Sequence, residues 1–175
     1  MNYVLLLIAA FMTSFGIGYS KYFALQYIGD VQFSVDAKPW IIQVIGSLMT
    51  IGPVLAYVIS GPLSMAFKKR AVMCGSLAVT SGFCIFGYFT NWLGTPWMYL
   101  FVIGLFTGIF NAAKMAAVPL EAKRSGKSVF VINAGVSVVF IVGMLGGAFF
   151  GTKAFEWSVG KGLVIGISVF VASAI

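Results

Sequence analysis

Runs of about 20 apolar residues recur along the whole chain, and no other feature constrains its fold as strongly. A helix rising 1.5 Å per residue needs about 20 such residues to cross a hydrocarbon core roughly 30 Å thick, and inside that core every backbone polar group must be paired within its own segment. Five runs of this length, near 3–28, 39–66, 71–92, 97–118 and 128–152, are followed by a shorter one at 162–175. They predict an all-α, polytopic membrane protein whose six transmembrane helices form one bundle over 1–175. Composition points the same way. The chain is 61% hydrophobic and 9% charged with a mean hydropathy of +1.04, whereas soluble domains carry about 25% charged residues.

The breaks between runs are polar. Asp30, Asp36 and Lys38 mark the first, Lys68-Lys69-Arg70 the second, Asn91 to Pro96 the third, Pro119 to Lys127 the fourth and Lys153 to Lys161 the fifth. The net charge of +7 lies in these short clusters, which is how cytoplasmic loops are marked and not how a nucleic-acid surface is built. Lys68, Lys69, Arg70, Lys123, Arg124 and Lys127 fall on one side of the alternation, against Lys38, Lys153 and Lys161 on the other. The N-terminus is therefore expected in the cytoplasm. Trp40, Trp92, Trp97 and Trp157 stand at expected span ends, where an indole prefers the interface. No basic region precedes the first run and no small-residue cleavage site follows it, so that run reads as a retained helix. The last run, Gly162 to Ile175, reaches only about 21 Å as a helix. The expectation is a piece of a longer protein, the alternative a short helix covered by another subunit.

Chemistry-bearing residues are few. The chain has no histidine, so a metal or haem centre held by it alone is not expected. Cys74 and Cys84 share one run at a spacing that cannot bridge along a helix, and they read as core thiols. No nucleophile–base pair, phosphate loop or carboxylate pair occurs, and neither an enzyme nor a cofactor is expected.

The informative polar residue is Lys114, inside Gly108 to Val118 with no acid in the same run. A cation at bilayer depth costs about 2.5–3.5 kcal/mol on insertion scales, so it must face protein or water. Two readings are open: the side chain snorkels toward the cytoplasmic interface past Pro119, or it faces an anion in the interior with Asn111, three residues earlier, as a polar partner. Asn133 and Ser137, one turn apart on the fifth run, would supply hydrogen bonds to that site or hold helices together. Lys21, near Tyr19 and Tyr22, reads as a residue snorkelling to the opposite surface.

Glycine recurs on the fifth run at Gly135, Gly143, Gly147 and Gly151, with Gly146 adjacent, and on the fourth at Gly104 and Gly108. Small residues four apart let helices approach closely in lipid. The expected use is packing inside the bundle, the alternative a face for a partner subunit. Gly52-Pro53 and Gly61-Pro62 would loosen the second helix at two places.

Six spans, a cationic loop between the second and third, and a glycine-rich fifth together resemble the N-terminal half of a major facilitator superfamily transporter. Within that superfamily the likeness points to bacterial lysophospholipid transporters. It is carried by Phe11-Met12-Thr13-Ser14-Phe15-Gly16, by Ala112-Ala113-Lys114 with Asn133-Ala134-Gly135, and by Val142-Gly143-Met144-Leu145-Gly146-Gly147. The resemblance implies a 3+3 inverted-repeat half of the fold, a multi-pass location in the cell inner (cytoplasmic) membrane, and an amphipathic anionic substrate bound by Lys114, Asn111 and Asn133. It also implies a gating loop at Gly61, Lys68, Lys69 and Arg70. The superfamily's loop aspartate is replaced here by Met65, and an acidic-plus-amide pair expected after Gly16 is Ile17-Gly18. These departures keep a second reading open: a transport-inactive structural or assembly subunit of a larger membrane complex. The partners expected are membrane lipids and either a second transporter half or other membrane subunits, with no nucleic acid.

Overall fold

Each long apolar run closes its backbone hydrogen bonds by coiling on itself. In the computed structural model, which describes residues 3–27, 39–89 and 96–157, this yields five helices and, among the described residues, no strand. They are α1 (Tyr3–Tyr27), α2 (Pro39–Ala66), α3 (Lys69–Phe89), α4 (Pro96–Ser125) and α5 (Val129–Trp157). Local chemistry explains the boundaries. Pro39 and Pro96 open α2 and α4, the position where a missing N–H and a fixed φ cost nothing. Ser128 starts α5 by accepting the Val131 N–H on its hydroxyl at 3.2 Å, a side-chain cap. Gly126, at φ 67°, ends α4 in the left-handed conformation that glycine adopts freely.

Three stretches, Tyr3–Phe23, Leu100–Ser125 and Val129–Lys153, are long and apolar enough to cross a membrane, and α2 holds a shorter apolar stretch at Thr50–Leu63. The molecule is thus all-helical with the character of a membrane protein. The run at 162–175, the connections at 28–38 and 90–95 with Trp92, and Lys161 lie outside the described residues.

Three expected features are corrected, the first being the end of the fifth span: expected near 152, it lies at Trp157, so Lys153 is in a helix and not in a connection. The fourth span was expected to stop near 118, with Pro119 in a loop; instead α4 passes through Pro119 to Ser125, so Glu121 lies in a helix and not in a connection. Proline forfeits one ladder bond, which neighbouring groups compensate in packed membrane helices, and Gly126 supplies the stop. Cys74 was expected in the core and is exposed on α3.

Helices pair across the sequence. α1 packs chiefly on α5 and α2 on α4, while α3 lies along α4 and α1 bridges to α4. Both principal seams are made of glycine. On α5, a Cβ at Gly143 would meet the Ser14 hydroxyl and, at 2.7 Å, the Phe11 carbonyl; at Gly147 it would meet the Phe15 carbonyl, and at Gly151 the Tyr19 carbonyl at 2.6 Å. Gly18 of α1 returns the approach against Met144. In the other seam, Gly52 of α2 faces Leu105 and Gly104 of α4, and Gly108 of α4 faces Pro53 and Ala56 of α2. Residue numbers advance together along each seam, Tyr3 with Gly135 through Tyr19 with Gly151, so the paired helices run parallel. A chain that reverses direction at every connection requires that of its first and fifth, and second and fourth, helices.

Candidate functional site

The interior between the two seams is closed by Leu6 and Ala10 of α1, Ile109, Phe110 and Ala113 of α4, and Ile132 and Val136 of α5, all buried. Lys114 follows directly on α4. Because the helix continues from Lys114 to Ser125, about 16 Å of rise separates the residue from the helix end, and its side chain does not reach the surface: it is 4% exposed. The interior reading of Lys114 is the one its geometry follows.

Its ammonium donates to the Asn111 Oδ1 at 2.8 Å, the i−3 partner seen in the sequence. It lies 4.5 Å from the centroid of the Phe140 ring and 5.9 Å from that of Phe110. Aromatic faces attract a desolvated cation by up to about 2 kcal/mol, so rings and amide together offset part of the burial. Among the described residues no carboxylate pairs with it. An ammonium has three N–H donors, of which Asn111 takes one.

Beside this group lies a cavity of about 280 Å³ between α2, α4 and α5. Tyr57, Asn111, Lys114 and Ser137 supply its polar wall, and Met115, Val136, Phe140 and Ile141 its apolar one. Such a division suits a ligand with one anionic end and one apolar end. Asn133 does not line the cavity; its amide oxygen is buried without a hydrogen-bond partner, and Ser137, one turn later, stands in the place expected for it. Phe140 and Tyr57 were not anticipated. Phe140 carried a signal, three residues beyond Ser137 on the same helical face, but Tyr57 carried none. The α1 aromatics lie elsewhere, with Phe15, Tyr19 and Phe23 stacked in series and Phe15 tilted against Phe11 and against Phe150 of α5.

The expected gating residues sit at the turn from α2 to α3. Gly61 lies in α2 with open space where a Cβ would be, Met65 is 91% exposed, and α3 begins at Lys69. Lys68 and Arg70 are exposed, whereas Lys69 crosses to α4 and donates to the Ala116 carbonyl at 2.9 Å. Pro119 has no N–H to give the Met115 carbonyl, so Lys69 reinforces α4 at the turn its own proline weakens. Lys69→Met is expected to destabilise the bundle by about 1 kcal/mol and to speed amide exchange at Leu120 and Glu121; exchange at the wild-type rate there would show that the contact carries no load. Ile17, at the other departure from the superfamily pattern, is buried on α1.

Comparison with protein-family models, with curated proteins and with solved structures finds no match to this chain.

Proposed function

We propose that this chain is the N-terminal half of a major-facilitator-type transporter for an amphipathic anion, with a lysophospholipid as the substrate class. The observation that carries this reading is a buried ammonium, unpaired with any carboxylate among the described residues, on the wall of a half-polar, half-apolar cavity. A phosphate would take the two N–H donors that Asn111 leaves, as a charge-assisted contact stronger than a neutral one. Tyr57 and Ser137 would hold the remaining head-group oxygens, and the acyl chain would run over Met115, Val136 and Ile141.

The helix pairing supports the same reading. Exchanging α1 with α4 and α5 with α2 carries one glycine seam onto the other, the relation expected of a three-helix inverted repeat. The cavity is lined from α2, α4 and α5, and α2 and α5 carry exposed Val54, Val58, Ile141 and Leu145, which a second half would cover.

One observation favours the alternative of a transport-inactive subunit. At the turn expected to gate, Met65 stands 91% exposed in place of an acid. Reconstitution of the protein in vesicles separates the two. Transport predicts uptake of radiolabelled lysophosphatidylglycerol and none of a monoacylglycerol, which keeps the chain and lacks the phosphate. Co-elution with other subunits in mild detergent, together with no uptake of either lipid, would establish the subunit.

A further inference from the structure

A second charged cleft lies beyond Lys114, at the C-terminal end of α4. It has a volume of about 470 Å³ and sits between the α2–α3 turn and the last turns of α4. Lys68, Lys69 and Arg70 enter it from the start of α3 and Arg124 from α4, against one carboxylate, Glu121. Four cations around one acid leave a positive excess, and its placement makes it more costly. Three of the cations crowd a helix N-terminus, which is itself the positive end of the macrodipole, and the first turn of α3 contains no acid. Where Ser128 caps α5, the first ladder bond of α3 runs from the Val72 N–H to the Lys68 carbonyl at 3.1 Å, so the capping residue is Lys68, whose side chain cannot accept an N–H. An anion in the cleft relieves all of these at once.

Glu121 refines the chemistry. It is 7% exposed and lines the cleft as its one acid. A buried carboxylate is costly unless donors reach it. A simple anion would repel it, whereas a ligand carrying both a phosphate and a hydroxyl would satisfy cations and carboxylate together. The rim is apolar, with Phe67 and Leu120 exposed beside the cations, as befits a membrane boundary.

We propose that this cleft binds the phosphodiester head group of an anionic membrane lipid that bears a free hydroxyl, of the phosphatidylglycerol type. The phosphate lies among Lys68, Arg70 and Arg124, the head-group hydroxyl donates to Glu121, and the glycerol backbone rests on Phe67 and Leu120. This lipid is a resident ligand, distinct from any cargo at Lys114.

The full-length protein, purified in phosphatidylcholine nanodiscs, tests it by titration with short-chain phosphatidylglycerol and native mass spectrometry. Preferential retention of phosphatidylglycerol over phosphatidylcholine is expected. Each basic residue near a lipid surface contributes about fivefold in affinity, so Lys68→Gln with Arg70→Gln weakens the preference by about 25-fold. Both side chains are exposed, so the variant keeps its fold. Glu121→Gln keeps binding to phosphatidic acid, which lacks the hydroxyl, and loses the preference for phosphatidylglycerol over it. Lys114→Met leaves all of these values unchanged. Undiminished preference in the double variant overturns the site, unchanged discrimination in Glu121→Gln overturns the hydroxyl assignment, and displacement by inorganic phosphate at lipid-matched concentration overturns the lipid as the source of the anion.

Discussion

Lys114→Met is expected to abolish lysophospholipid uptake while leaving the amount of folded protein equal to or above wild type. The two halves of this result have one physical origin. The ammonium is buried with an amide and two rings for company, which offsets only part of its desolvation cost, and an apolar side chain of similar length removes that cost. In the proposed complex with a lysophospholipid the same ammonium would supply charge-assisted hydrogen bonds, each contributing about 1.5–3 kcal/mol, or roughly 10- to 150-fold in affinity. A residue that weakens the empty protein and strengthens the loaded one is a binding residue. Were Lys114→Met instead to lower the thermal midpoint with uptake intact, the lysine would be a packing element and the transport reading would lose its support. Asn111→Leu should show a smaller version of the same split, since it removes the group that aims the ammonium without removing the charge.

The second large effect concerns the helix seams. Gly147→Ala is expected to cost more than the roughly 1–3 kcal/mol typical of overpacking, because the added methyl would meet the Phe15 carbonyl oxygen and carbon and the Tyr19 nitrogen. These are backbone atoms of a helix and cannot swing aside, so α1 and α5 must separate along their length. Gly143→Ala, one turn earlier, meets the Ser14 hydroxyl and the Phe11 carbonyl, and the double substitution should yield no folded bundle. Gly82→Ala is the control. Its Cβ would find open space, so the change gains up to about 1 kcal/mol from helix propensity. Thermal midpoints in one detergent compare the three. Equal midpoints for Gly147→Ala and Gly82→Ala would mean that the seam tolerates a methyl group at no cost.

Run lengths made most of the helix boundaries legible. α1 and α2 fall within a residue of their expected limits, because hydrophobicity and backbone pairing in lipid both demand a continuous helix. Pro119 misled the reading of α4. A proline weighed by its local cost marks a stop, yet a lysine from another helix, invisible at 50 residues' remove, sustains the turn around it. Glycine spacing disclosed that α5 has a smooth face, but not that α1 would occupy it, since partner choice depends on surfaces brought together only by the fold. At the site, Lys114 and Asn111 were legible because one turn of helix fixes their contact. Tyr57 was not, and Asn133 was misplaced by one turn, because where an α5 side chain points relative to α4 depends on how far α5 is rotated, and the Gly143 and Gly147 contacts with α1 set that rotation.

The crossing of the two seams has a consequence for biosynthesis. Helices leave the ribosome in order, yet α1 finds its main neighbour only when α5 emerges, and α2 only when α4 does. The first three helices touch one another little, so they have nothing to consolidate as a group. The α2 seam can close when the fourth helix arrives, and the α1 seam only when the fifth does. Halting synthesis after α3 would therefore leave a loose set of helices open to membrane proteases, and resistance to them would arise in two steps, with α4 and then with α5.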